Sequence, residues 1–208
     1  MVSTMPVSRS AEARRRLLRA LWGAAPAVLL SVVLLAPASP AQAEEQPGFV
    51  IRTAYSELIN GVYYLDADVG LNLSDDAVNA LQNGLPLTVE LDIQVIKHHS
   101  WWLDKNVADL KQRYQISYHE LSRRFIVVNL NSGDQQSYSS YSEAIVALGQ
   151  VSDLPVIDAK LLDPGAHYNI RLRAGLDIKT FPGPLQLIAS LFKGWDLSSD
   201  WYQWVLVS

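Results

Sequence analysis

Strict alternation between apolar and polar residues runs through two long segments of the chain, 87–95 and 168–178. Successive side chains of an extended chain point to opposite faces, so this period of two predicts β-strands with one buried and one solvated face. We expect the two apolar rows to pack against each other as facing layers of one core. The predicted inward residues are Leu87, Val89, Leu91, Ile93, Val95, Ile170, Leu172, Leu176 and Ile178.

Shorter patterns of the same kind, separated by turn signals such as Asn60-Gly61, bring the expected total to about eight strands. Phe181-Pro182-Gly183-Pro184 follows the second long alternating segment and is interpreted as a break in regular secondary structure. Strands do not alternate with long helices, which argues against a parallel sheet. The other expected strands cover 49–58, 63–72, 110–118, 124–130, a short stretch through 138, a stretch between Pro155 and Asp163, and 201–207.

Two short helices are expected between strands. Ser74 can cap the first, and Ser140-Tyr141-Ser142-Glu143 has the spacing of a capping box for the second. We therefore predict an all-β fold, an antiparallel β-sandwich of immunoglobulin-like or related type with two short connecting helices. A small β-barrel is the alternative.

The N-terminal segment has the three parts of a secretory signal peptide. A cationic segment, Arg14–Arg19, precedes an apolar stretch, Leu21–Ala36, and Ala41-Gln42-Ala43 has the pattern of a cleavage site. Prolines leave an uninterrupted apolar core shorter than the ~20 residues of a membrane span, so we expect cleavage rather than an uncleaved anchor. The sequence predicts a signal peptide over 1–43, a single domain over 44–208 and a periplasmic location. The arginines leave the general secretory and twin-arginine routes both open.

The chain has 208 residues, no cysteine and a formal net charge of −4. The lack of cysteine excludes disulfides, thiol catalysis and Cys-ligated metals. The leader contributes several arginines, so the mature part is more acidic than the whole, which argues against a nucleic-acid partner. No phosphate-binding glycine loop or nucleophile-elbow motif is present, and the sequence predicts no cofactor.

Several local motifs occur in a characteristic order along the mature chain. They are Leu71-Asn72-Leu73-Ser74 with Ala77, Asn83–Thr88 running into a long strand, a strand bearing Tyr114 and Tyr118, and Trp201-Tyr202-Gln203-Trp204. In this arrangement the chain resembles the exported proteobacterial proteins grouped as domain of unknown function 4390. The resemblance implies a bacterial envelope location. It implies no reaction, because the family has no established activity or catalytic residues to carry over.

The segment 98–102 contains two adjacent histidines, His98 and His99, and two adjacent tryptophans, Trp101 and Trp102. Adjacent side chains of an extended chain face opposite ways, so the histidine pair does not suit one metal ion and no metal site is expected. For the same reason both indoles cannot be buried together, and an exposed one suits a binding patch. The alternative is an indole that packs under a loop.

Arg171 and Arg173 share the solvated face of one predicted strand, and Glu90 and Asp92 share that of another. The arginines can bind an anionic lipid, a polysaccharide or an acidic protein. Cross-strand pairing with the two acids is the simpler interpretation. A glycosidase role for the acids would need one carboxyl with a raised pKa, whereas a solvated face keeps both ionised.

These patterns favour a non-enzymatic periplasmic binding or interaction module of the bacterial cell envelope, not integral to the membrane once the leader is cleaved. Its partner would be an envelope protein or a glycan or lipid surface. The alternative is an envelope hydrolase that acts on glycan or peptide through carboxylates; a cleft of convergent acids with a shifted pKa would favour it. The candidate binding residues are His98, His99, Trp101, Trp102, Arg171 and Arg173.

Overall fold

The computed structural model of the chain describes residues 46–98 and 103–206. The strands in these ranges are β1 Gly48–Ile59, β2 Val62–Asn72, β3 Leu87–Lys97, β4 Lys105–His119, β5 Arg124–Asn129, β6 Gln135–Tyr138, β7 Gln150–Asp158, β8 Tyr168–Leu176 and β9 Tyr202–Val205. They form two sheets, both antiparallel throughout. The smaller sheet has the order β1-β2-β7, and the larger has the order β6-β5-β4-β3-β8-β9. The expected all-β antiparallel fold is confirmed.

The β1–β2 hairpin forms at the predicted turn. Asn60 and Gly61 have φ values of 52° and 85°, the left-handed pair that a two-residue hairpin turn requires and that Asn-Gly adopts readily. The third strand of this sheet, β7, differs from expectation, because it begins at Gln150 and includes Pro155. Since β7 lies at a sheet edge, a proline is tolerated within it.

The apolar row of β3 is buried as predicted, and so is most of that of β8. The two rows do not face each other, however, because β3 and β8 are hydrogen-bonded neighbours with Ile93 opposite Leu172. They form one continuous apolar surface of the larger sheet. Ile178 falls outside β8, in a 3-10 turn, Ile178–Thr180, where the strand pattern was expected to continue.

The smaller sheet supplies the opposing layer of the core. Its buried side chains include Ile51, Tyr63, Leu65 and Val69, which belong to the same apolar cluster as the rows of β3 and β8. The indole Nε1 of Trp204 donates a hydrogen bond to Ser56 Oγ at 3.1 Å, which links β9 of the larger sheet to β1 of the smaller.

Within the described ranges, three α-helices connect the strands: α1 Asp75–Gln82, α2 Tyr141–Gly149 and α3 Gly183–Leu191. The predicted Ser74 cap is present on α1, and the predicted capping box of Ser140 and Glu143 is present on α2. The end of α2 lies against β2, where a Cβ on Gly149 would stand 2.1 Å from the carbonyl oxygen of Val69. Only glycine allows this close approach of two backbones.

Helix α3 was not expected, since the sequence around Pro182 and Pro184 was interpreted only as a break. Pro184 stands in the first turn of α3, where proline is tolerated because its missing N–H would have no partner within the helix. The described residues contain no helix that is both long and apolar enough to cross a membrane. The leader, 1–43, lies outside the described residues.

The connections distinguish two ends of the domain. At one end, which we call the helical end, α1 joins β2 to β3, and Ser74 Oγ donates to the carbonyl of Gly194, just beyond α3, at 2.6 Å. At the other, which we call the hairpin end, the amide of Ala159 donates to the carbonyl of Gly61 at 2.8 Å and that of His98 donates to the carbonyl of His167 at 3.0 Å.

Candidate functional site

The outer surface of the larger sheet carries a row of opposite charges across three strands. Asp92 on β3 lies between Lys111 on β4 and Arg173 on β8 in the strand register. Lys111 Nζ is 2.7 Å and Arg173 Nη2 is 3.4 Å from its carboxylate oxygens. Two residues before Asp92 on β3, Glu90 accepts from Arg113 Nε at 2.7 Å and also pairs with Lys111. We call these five residues the charged face; it includes the predicted pairing of Arg173 with Asp92.

The charged face keeps Glu90 ionised. Burial by itself would raise the pKa of this carboxyl, but the hydrogen bonds and charges of Lys111 and Arg113 outweigh burial and hold the pKa below its ordinary value. The same contacts, with Asp92 and Glu90, raise the pKa of Lys111. At neutral pH Glu90 therefore has no proton to donate as a general acid.

Arg171 lies beside the charged face but is held differently. Its Nε donates to Gln94 Oε1 at 2.7 Å, and it forms no ion pair with another described residue. Its guanidinium carbon lies 4.4 Å from the ring centroid of Trp201, and that of Arg173 lies 5.2 Å from the same centroid. Trp201 is 37% exposed. We call Arg171, Arg173 and Trp201 the arginine–indole cluster.

Trp201 was expected only as part of the last strand and not as a site residue. It comes just before β9, whose pairing of Gln203 with Arg171 and Tyr202 with Leu172 places Trp201 beside Arg173. That neighbourhood depends on β9 pairing with β8, which no local pattern in the sequence specifies.

A polar groove of about 230 Å³ adjoins the charged face. It opens where Gly175 stands opposite Glu90 in the register, because glycine has no side chain to fill the space. Its lining combines four carboxylates with two cations: Glu90, Asp92, Asp177, Asp196, Arg173 and Lys179. The groove can accept a small polar or charged group, and its four acids are candidates for the hydrolase alternative.

His98 lies at the hairpin end, away from the arginine–indole cluster. Its Nδ1 is 3.0 Å from Asp104 Oδ2, and its enclosed Nε2 has no hydrogen-bond partner among the described residues. The other candidates of this segment, His99, Trp101 and Trp102, lie outside the described residues, so their exposure stays a prediction. Across 46–98 and 103–206, no group of three or more His, Cys, Asp or Glu side chains is placed to hold a metal ion.

Fold and surface together define a two-sheet antiparallel β domain whose outer face carries paired charges and an arginine–indole cluster. The model of the family described as Domain of unknown function (DUF4390) matches residues 46–205, and the chain belongs to this family. The family resemblance inferred from the sequence is thus confirmed. Neither a curated protein nor a solved structure matches the chain.

Proposed function

We propose that this protein is a non-enzymatic binding or interaction module of the bacterial cell envelope, exported to the periplasm by a cleaved leader. The arginine–indole cluster is the observation that carries the binding role. The leader pattern in residues 1–43 supports the location.

The cluster has the chemistry of a contact for an anionic partner. Stacking on an indole face orients a guanidinium without using its N–H edge, which stays available for a carboxylate or phosphate. Arg171 uses Nε toward Gln94 and is not neutralised by a described carboxylate, so its Nη groups suit an acidic segment of a protein or an anionic glycan or lipid surface. Partly exposed Trp201 adds apolar area beside the charge.

The hydrolase alternative draws on the polar groove and its four carboxylates. A general acid at neutral pH needs a raised pKa, and the lowered pKa of Glu90 has the opposite sign. Lys111, shared between Glu90 and Asp92, holds both acids in ion pairs. These facts support binding over hydrolysis on this face.

The test compares what co-purifies with the exported, tagged protein and its variants after crosslinking in intact cells. We expect Arg171→Ala and Trp201→Ala each to lower recovery of a partner several-fold while lowering the melting temperature only slightly, because Trp201 is exposed and Arg171 is half-buried on the outer face of the sheet. Lys111→Ala is the matched control, since it removes a cation of the same sheet face that lies outside the cluster.

Equal recovery of every partner by wild type, Arg171→Ala and Trp201→Ala would contradict the proposal. Cleavage of isolated envelope glycan or peptide by wild type, lost in Glu90→Gln or Asp92→Asn, would favour the hydrolase instead.

A further inference from the structure

The larger sheet ends at β9 with backbone groups that no other strand uses. Alternate residues of an antiparallel strand hydrogen-bond to its neighbour. The amide of Leu206 donates to the carbonyl of Tyr168 at 2.9 Å, and β9 pairs with β8 in a regular register, so its even-numbered residues bond to β8. The amides and carbonyls of Gln203 and Val205 point away. Because β9 is the last strand of the sheet, they have no backbone hydrogen-bond partner among the described residues.

The other three edge strands of the described sheets are protected against an added strand. β1 has a register shift at Arg52 and exposes the charges of Arg52 and Glu57. β7 has two register shifts and includes Pro155, and β6 is short and mainly polar. Bulges, charges, prolines and short strands are the devices that keep a sheet edge from pairing. β9 is also short, but it has no register shift, no proline and no charged residue.

Apolar side chains flank the free edge of β9 on both faces of the sheet. Tyr202 pairs with buried Leu172 and faces the inner side, yet it is 36% exposed. Val205 is 61% exposed on the outer face. An unprotected apolar edge with free amides and carbonyls is the surface to which an extended chain adds as a further strand.

The outer face beside this edge carries the charge that selects the added chain. Directly opposite residues share a face, so Gln203 lies on the same face as Arg171. Arg171 stacks on Trp201, which directly precedes β9, and this contact turns its guanidinium toward the free edge. A strand added beside β9 places every second side chain on that face, where a carboxylate can pair with Arg171. The side chains between them lie beside Tyr202, where apolar residues fit.

We propose that β9 accepts an extended segment of a partner protein as an additional strand of the larger sheet. The segment alternates acidic side chains, which face Arg171, with apolar side chains, which face Tyr202. The inference rests on the binding role proposed above and names the partner of the arginine–indole cluster as a protein segment. A glycan or a lipid surface lacks the regularly spaced peptide amides and carbonyls that pair with an edge strand.

A second copy of this chain is a poorer occupant of the same edge. Pairing β9 with β9 of another copy would bring a second Arg171 and a second Arg173 to the same outer face. Like charges brought together in an interface repel each other and weaken binding. An acidic segment uses the same backbone groups and brings the opposite charge, so charge complementarity favours a segment of different sequence.

The experiment measures binding of two short synthetic peptides to the processed chain, purified from an exporting host with its N-terminus verified. One peptide alternates valine with glutamate, and the other has lysine in place of each glutamate. The measurement is made at about 0.15 M salt, which screens the overall acidity of the chain. We expect fluorescence anisotropy to show about tenfold tighter binding of the glutamate peptide to wild type, and Arg171→Ala to remove this preference.

Gln203→Pro tests the backbone pairing, because proline removes an N–H of the free edge that does not bond to β8. We expect it to bind the glutamate peptide about tenfold more weakly than wild type. Ser137→Pro is the matched control on β6. Because the amide of Asn129 donates to the carbonyl of Asp134, the alternation of the β5–β6 ladder likewise points the N–H of Ser137 away from its neighbour. This variant should bind as wild type does, and both prolines should leave the domain folded.

Hydrogen exchange supplies a second readout on the unmodified protein. The glutamate peptide should slow exchange of the Gln203 and Val205 amides, because both become hydrogen-bonded in the added ladder.

Equal binding of the two peptides by wild type, or unchanged exchange of the Gln203 amide, would overturn the proposal. So would a wild-type dimer that Gln203→Pro dissociates, because a second copy would then fill the free edge. The co-purification assay separates the two proposals. A partner that Gln203→Pro recovers and Arg171→Ala loses would reject strand addition alone and leave the binding role standing.

Discussion

Glu90 shows how a single carboxylate joins two strands. Only 16% of its side chain is exposed, and it accepts from Lys111 and Arg113 of the neighbouring strand. Both cations are about half exposed, so solvent screens the attraction and keeps its contribution modest. The lowered pKa makes this contribution depend on pH.

We expect Glu90→Gln to reduce the free energy of unfolding by about 1 kcal/mol at neutral pH. A carboxyl whose pKa is lowered by folding stabilises the fold above its unfolded pKa, and this stability is lost as the pH falls through the folded pKa. The ordinary value for Glu90 is 4.5, so the gap between wild type and variant should close as the pH falls below that value. Urea unfolding over a pH series measures this gap.

The control for this series is Glu57→Gln, which neutralises an exposed carboxylate on β1. It should lower the free energy of unfolding at neutral pH less than Glu90→Gln does, because the side chain of Glu57 is exposed. A gap for Glu90→Gln that stays constant into the acid range would show that the loss is unrelated to ionisation.

At the scale of elements, β3 and β8 form the centre of the larger sheet. Leu172 on β8 is fully buried opposite Ile93, whereas Arg173, the next residue, is exposed on the outer face. Neighbouring positions on one strand thus differ completely in their surroundings, which makes them a matched pair for substitution by the same residue.

We expect Leu172→Asp to unfold the domain, because an unpaired carboxylate in the core costs about 4 kcal/mol or more. Arg173→Asp should fold, with at most a modest loss from the new acid beside Asp92. Circular dichroism and thermal melting distinguish the two variants. Similar melting temperatures for both would contradict the assigned faces of β8.

The hairpin turn and the helix caps could be predicted from the sequence because each depends on residues that are close together in the chain. The Asn60-Gly61 turn, the Ser74 cap and the capping box at Ser140 each depend on residues within four positions of one another, and all are present. The side-by-side placement of β3 and β8 depends on long-range pairing, so alternation predicted which residues are buried but not what they face. Helix α3 was missed because Pro182, Gly183 and Pro184 at its start were interpreted as a break, although proline is tolerated in the first turn of a helix.

The candidate site likewise has a part that local alternation predicts and a part that depends on long-range strand order. Alternation alone places Arg171 and Arg173 on the outer face and predicts the pairing of Arg173 with Asp92. Trp201 joins them only through the order of strands in the sheet.

At the scale of the whole molecule, we expect the exported protein to begin at Glu44. N-terminal sequencing of the protein released by osmotic shock measures this directly. Ala43→Arg should retain the leader, because cleavage requires a small residue at that position. Recovery of wild type with Arg14–Arg19 intact in the membrane pellet would instead indicate an uncleaved anchor.

The two ends of the described chain leave the domain at opposite poles. β1 starts at the helical end, and β9 runs toward the hairpin end, where Val205 pairs with Asn169. Tension between residues 46 and 206 therefore acts along the strands, while the hydrogen bonds of an antiparallel ladder lie across them. Such a pull loads both terminal ladders in shear: β1 against β2 over eleven residue pairs, and β9 against β8 over only four. The shorter ladder therefore yields first, and β9 detaches under stretching before β1 does.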